Sequence, residues 1–217
     1  PEYLAAAGAG LEQVPAAWVE LALEVADSGP PFVSGVARAL HLGEVEDPGT
    51  GFNAGILYIV PVGGGAASSI LLQAVRDRFA LTPYPTTYQL DVRSAAYLTI
   101  DVFAKVYRAK GVTPAVAKAA VVASIQRFFS LSLADGSANP AIDFGFNFKA
   151  ASGLPDGSLA YSDVVDAIRD TVGIRKLGAG QLDVALNGAR ADVPLAVRQF
   201  PALGTITLLD GDTGLTL

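Results

Sequence analysis

The chain has 217 residues, room for one large domain or two small ones at about 100 to 200 residues per domain. Hydrophobic residues make up 51% and charged residues 17%, enough apolar matter to bury a core, and a net charge of −6 without a basic stripe argues against a nucleic-acid partner. The absence of Cys excludes disulfides, thiolate nucleophiles and Cys-based metal sites, and a single histidine, His41, leaves no His-rich metal site either.

Met is also absent, and the start Pro1-Glu2-Tyr3-Leu4 lacks the basic residues and apolar core of a signal peptide, so the chain is expected to be part of a longer product. Mean hydropathy is +0.41, yet no run of about 18 uncharged apolar residues exists to span a bilayer, and no membrane insertion is expected. The apolar surplus predicts buried contacts with other subunits instead.

From Pro15 the spacing of Trp18, Leu21, Ala22 and Val25 predicts an amphipathic helix with Pro at its first turn. Between Pro30 and Glu46 a strand is preferred, although Val33, Val36, Ala37 and Leu40 also fit a helix. After the turn-rich Asp47 to Gly55, the apolar run Ile56 to Val62 predicts a buried strand. Gly63, Gly64 and Gly65 end it, and Ser68 or Ser69 is placed to cap a helix with the face Leu71, Leu72, Val75 and Phe79. Tyr88, Leu90 and Val92 then alternate with polar residues, as a half-buried strand requires. The alternation restarts after Ala95, with Leu98, Ile100, Val102, Ala104 and Val106 on one side of a strand long enough to span two packing environments.

Thr113 and Pro114 supply a cap and a first turn for an Ala/Val-rich helix to about Ser130, apolar most of the way round and so expected to be deeply buried. Residues 133–160 form a long aromatic loop in this reading, a length usually tied to function. Tyr161, Val164, Val165, Ile168 and Val172 give the cleanest helical face, and strands at Leu182 to Leu186 and Thr205 to Leu209 complete the chain. Strand, glycine turn and helix recur at Ile56 to Phe79 and at Ile100 to Phe129. The expected fold is therefore α+β: two small tandem α/β sandwich-like units, residues 1–95 and 96–217, with mixed or antiparallel sheets and helices packed on one face.

Chemistry-bearing residues are few. The Gly63 to Gly65 loop misses the dinucleotide pattern, since Ser68 stands where the third glycine would be, and no Lys follows as a P-loop needs. His41 lacks a Cys or Gly-x-Ser-x-Gly partner, and reads as structural. Asp135, Asp143 and Asp156 do not have the spacing of a calcium loop; they read as solvated loop carboxylates, as do Glu44, Glu46, Asp47, Asp210 and Asp212. No catalytic residue, cofactor or metal site is expected. Phe144, Phe146 and Phe148 alternate within IDFGFNF, and leaving each wet would cost roughly 1.5 to 3 kcal/mol. They either pack as a satellite of the core or anchor a neighbouring subunit, which makes them the candidate subunit-interface residues.

The segments AWVELALEV, PGTGFNAGILYIVPVGGG, LTPYPTTYQLDVRSAAYLTIDVFAKVY, VTPAVAKAAVVASIQRFF, IDFGFNFKAASGLPDGSLAYSDVVDAIRDTVGIRKL and FPALGTITLLD, in that order, resemble the baseplate J-like family. That family comprises structural proteins of the baseplate wedge in contractile-tailed phages and contractile injection systems. The resemblance implies a non-enzymatic component of a virion tail baseplate, assembled in the bacterial host cytoplasm. It implies a homodimer that also contacts other wedge and hub subunits, links wedges into a ring around the tail hub and transmits the trigger for sheath contraction. Two other readings stand beside it: acid–base catalysis by carboxylates such as Asp143 and Asp156, and a free-standing small-ligand or carbohydrate binding module.

Overall fold

A computed structural model describes residues 35–43, 46, 54–80, 89–152, 157–180 and 183–217. The helix expected from Pro15, most of the turn at Asp47 to Gly55 and the start of the strand at Tyr88 lie outside the described residues. Among the described residues there are nine strands and four helices, in mixed and antiparallel pairings, so the α+β expectation holds. The chain divides into two compact units between Ala96 and Tyr97.

The first unit is built on a three-stranded sheet of β1 (Val36–Gly43), β2 (Ala54–Pro61) and β3 (Gln89–Ser94), with β2 in the middle. β1 runs antiparallel to β2 and β3 parallel to it, with Leu57 opposite both His41 and Val92. The parallel pair requires a crossover, which α1 (Ser69–Ala80) supplies. Leu57, Ile59 and Val92 meet Leu71, Val75 and Phe79 of that helix in the core of the unit. Ile56 to Val60 are all buried, as an uninterrupted apolar strand covered on both faces must be. Ser68 Oγ accepts from the Leu71 amide at 3.2 Å and caps the helix. Gly63, Gly64 and Gly65 take φ values of +91°, +75° and +77°, a path open to glycine and strained for any other residue.

The second unit is organised around the 13-residue β4 (Ala96–Arg108). Ile100, Val102, Ala104 and Val106 are all at most 1% exposed, as their alternation predicts, while Leu98 at the start is half-buried. β6 (Ile174–Leu177) and β7 (Val184–Leu186) pair antiparallel with successive stretches of β4. Lys105 donates to Asp183 O and accepts from Gly178 N, whereas Val106 O accepts from Gly211 N, so neighbouring residues serve opposite edges of the strand. On the second edge lies β9 (Gln199–Asp210), with the Tyr97 ring near Phe200, Asp101 bonded to Thr205 and Val106 to Gly211. Those positions rise together along both strands, so β9 runs with β4.

The helix α2 (Pro114–Phe128) starts as expected, with Thr113 Oγ1 accepting from Val116 N and Pro114 in the first turn. Its deep burial is corrected: only Ala117, Val121 and Ile125 form a buried stripe, and Val116 is 60% exposed. Ala115, Ala119 and Ala123 lie exposed, since a single methyl costs little in water and apolar composition overstates the burying face. α2 packs on α4 (Tyr161–Arg169), where the Ser124 hydroxyl donates to Ala167 O at 2.7 Å.

The stretch 133–160 is not a long loop. It holds α3 (Gly145–Ser152) and β5 (Gly157–Leu159), and β5 pairs antiparallel with β8 (Val193–Leu195). A Cβ on Gly157 would overlap the Gly145 carbonyl, and one on Gly145 would overlap the carbonyls of Leu195 and Ala196. Three backbone segments therefore touch where two glycines permit it.

Candidate functional site

Phe144, Phe146 and Phe148 do not project from one side of an extended segment. Phe144 precedes α3 and is fully buried, edge-on to Phe200 with ring centroids 5.2 Å apart and planes at 74°. Phe200 in turn meets Tyr97 at 6.2 Å, so Phe144 belongs to an aromatic cluster inside the second unit. Its carbonyl starts the helix by accepting from Asn147 N and Phe148 N, while Phe146 N donates out of the helix to Val197 O. Within α3 successive residues turn by about 100°, so Phe146 and Phe148 point to different sides, and both are half-buried. Phe144 is thus buried within the second unit, whereas Phe146 and Phe148 remain partly exposed.

The remaining sequence candidates are dispersed. His41 sits in β1 opposite Leu57 and is 8% exposed; burial pushes its pKa below the usual histidine value, with the nearby Glu46 charge opposing. Asp143 accepts from the Phe144 amide, and Asp156 lies outside the described residues. Asp135 is exposed, and the Ser137 hydroxyl and amide hold its carboxyl below the ordinary carboxylate range. Glu46 accepts from the Gly43 amide at 2.9 Å. Among the described residues no group of three or more His, Asp or Glu side chains converges as metal ligands would.

Asp210 corrects the reading of it as a solvated carboxylate. It is 2% exposed at the end of β9 and faces Arg108 at the end of β4. Arg108 Nε and Nη2 reach Asp210 Oδ2 at 3.1 and 2.8 Å, while Nη1 donates to Val112 O at 2.7 Å. Asp210 Oδ1 accepts from the Asp212 amide at 3.0 Å. Burial by itself would push the Asp210 pKa up, but the Arg108 and Asp212 hydrogen bonds and the Arg108 charge outweigh it and leave it below the ordinary value. The arrangement is a satisfied ion pair that locks two strand ends together. No local signal announces it, because the partners stand 102 residues apart.

The Asn187-Gly188 dipeptide, by contrast, carries a local turn signal. Asn187-Gly188 forms a two-residue turn with φ +48° and +79°, bridged by Leu186 and Ala189, the dipeptide that such hairpin turns favour. The Asn187 side chain accepts from Asp101 N at 2.7 Å and donates to Thr99 O at 3.2 Å, so it pins the turn to β4.

No protein-family model matches the chain, and no curated protein matches it. Among solved structures it is similar to a chain in the cryo-EM structure of the anti-feeding prophage baseplate, six-fold symmetrised, at 11% identity and a TM-score of 0.47. The similarity covers 86% of this chain and 37% of that one, so the present chain spans little more than a third of that protein's length.

Proposed function

We propose that this chain is a non-enzymatic structural subunit of the baseplate wedge of a contractile tail or injection system. In this reading it pairs with a second copy, contacts other wedge and hub subunits, helps link wedges into a ring around the hub and passes the contraction trigger between them. It resides in the tail baseplate of particles assembled in a bacterial cytoplasm.

The observation that supports the reading is the order of elements under the segments that resemble the baseplate J-like family. ILYIVPVGGG corresponds to β2 and its glycine turn, the tandem alternating segment to β3 and β4, VTPAVAKAAVVASIQRFF to α2, and FPALGTITLLD to β9. Between them, IDFGFNF to IRKL runs through α3, β5, α4 and β6. The half-buried Phe146 and Phe148 are the proposed contact residues of the second unit.

Isolation of tail particles on a density gradient tests this. Peptides of this chain are expected to band with sheath and tube proteins in a fixed ratio that survives a second gradient. Their recovery only in the soluble fraction would overturn the assignment.

A further inference from the structure

Four Asn-Gly or Asp-Gly pairs occur in the chain: Asp135-Gly136, Asp156-Gly157, Asn187-Gly188 and Asp210-Gly211. Such pairs carry a latent reaction, in which the glycine amide nitrogen attacks the side-chain carbonyl carbon before it and closes a cyclic imide. Glycine permits the ring because it has no Cβ to crowd the approach. Asparagine is the more reactive partner near neutral pH, since an ionised Asp carboxylate resists a nucleophile. In two of the Asp pairs the attacking nitrogen is also occupied: Gly136 N donates to Leu133 O at 3.0 Å and Gly211 N to Val106 O at 2.8 Å. Asp156 lies outside the described residues. Gly188 differs from Gly136 and Gly211. Its amide has no hydrogen-bond partner among the described residues, a Cβ placed on it would meet nothing within 4 Å, and both residues of the turn are exposed.

Other bonds hold the reaction off. Asn187 N donates to Asp101 O at 2.9 Å, Asp101 N to Asn187 Oδ1 at 2.7 Å, and Asn187 Nδ2 to Thr99 O at 3.2 Å. All three reach β4, so the carboxamide is turned toward that strand's backbone, and Nδ2, the nitrogen that would leave, is held there. Carrying Cγ to Gly188 N requires both side-chain bonds to break. Just before the turn, β7 is fastened to the same strand, with buried Leu186 opposite Val102 and buried Val184 opposite Ala104.

We propose that Asn187 is a site of spontaneous deamidation that docking of its turn on β4 keeps closed, so that the modification records detachment of β7 from β4. On detachment Gly188 N bonds to Asn187 Cγ, the Cγ–Nδ2 bond breaks, and the Gly188 proton leaves with that nitrogen as ammonia. Water then opens the imide at either carbonyl, giving an aspartyl or an isoaspartyl residue. Neither product redocks as before. The aspartyl carboxylate puts an oxygen where Nδ2 donated to Thr99 O, and the isoaspartyl link adds a methylene to a turn that Leu186 and Ala189 close over two residues. Detachment thereby becomes permanent. This inference stands apart from the baseplate reading.

The test incubates the full chain at neutral pH and follows Asn187 by peptide mapping and mass spectrometry, with a synthetic peptide of residues 183–192 as the undocked reference. Conversion in the chain is expected to be at least about tenfold slower than in the peptide, because local opening must come first. Urea below the unfolding transition should raise the rate in step with hydrogen exchange of the Asn187 amide, which detachment also frees. Val184→Ala, which loosens β7 and leaves the turn's chemistry alone, should speed conversion; if that variant unfolds, the urea series on the parent chain decides. Asn187→Asp should speed exchange of the Leu186 and Ala189 amides by about tenfold. Conversion at the peptide's rate in the folded chain would overturn the proposal. So would a rate indifferent to urea while exchange rises, the absence of conversion at Asn187 in the fully unfolded chain, or unchanged exchange in Asn187→Asp.

Discussion

Arg108 and Asp210 carry much of what is specific to the second unit at the scale of single residues. A nearly fully buried carboxylate is tolerable only while its counter-charge is present, so Arg108→Ala should cost about 3 kcal/mol or more, read as a lowered urea midpoint. The same pair sets a pH dependence. The folded carboxyl titrates below its unfolded value of about 3.9, so between those two values the unfolded chain binds more protons. The contribution of Asp210 is therefore complete well above pH 4 and is lost as pH falls through the folded value. Asp210→Asn should flatten that acid limb in a series of urea titrations, and an unchanged slope would contradict the role given to the pair. Local signals in the sequence were readable, as the Thr113 and Ser68 caps attest, because cap and helix are neighbours in the chain. Sequence alone does not distinguish Asp210 from a solvated carboxylate or settle where Phe144 packs, because their partners, Arg108 and Phe200, lie far away in the chain.

Among the elements, α4 is where periodicity and structure agree best, and where the agreement stops is informative. Val164 and Ile168 are fully buried and Val165 half-buried, but the helix ends at Arg169, and Val172, included in the expected face, lies 90% exposed before Gly173 at φ +92°. Val164→Asp should accordingly destabilise the second unit by more than about 3 kcal/mol, since it buries an unpaired charge. Val172→Asp should stay within about 0.5 kcal/mol, as expected of an exposed site. Thermal melts of the two variants check the pair, and similar losses in both would mean the burial assigned to this face is wrong. Hydrophobic period was enough to find β4, α1 and α4, whose buried faces repeat several times, and an unbroken apolar run was enough for β2. It failed for β5 and β8, three residues each, which are too short to show a period. In α3 an alternation of Phe residues imitated a strand, although Asn147 N and Phe148 N both bond back to Phe144 O as in a helical turn.

For the whole molecule, the proposal is that two compact units with 51% hydrophobic residues are held in place by neighbouring subunits. That account separates two phenylalanines that sequence alone grouped together. Phe144→Ser should cost several kcal/mol, in line with the roughly 3 to 5 kcal/mol of large aromatic truncations, because it empties the cluster with Phe200. Phe146→Ser should leave the melting temperature nearly unchanged and weaken self-association in sedimentation velocity runs. Equal loss of folding and assembly in Phe146→Ser would return that ring to the core. The central claim is that the chain works as a baseplate subunit, and immunogold electron microscopy on tail particles, with antibody raised against this chain, tests it most directly. The account predicts gold at the tail-end plate of extended and contracted particles alike. Particles free of label, with the antigen soluble and monomeric in the same lysate, would contradict it.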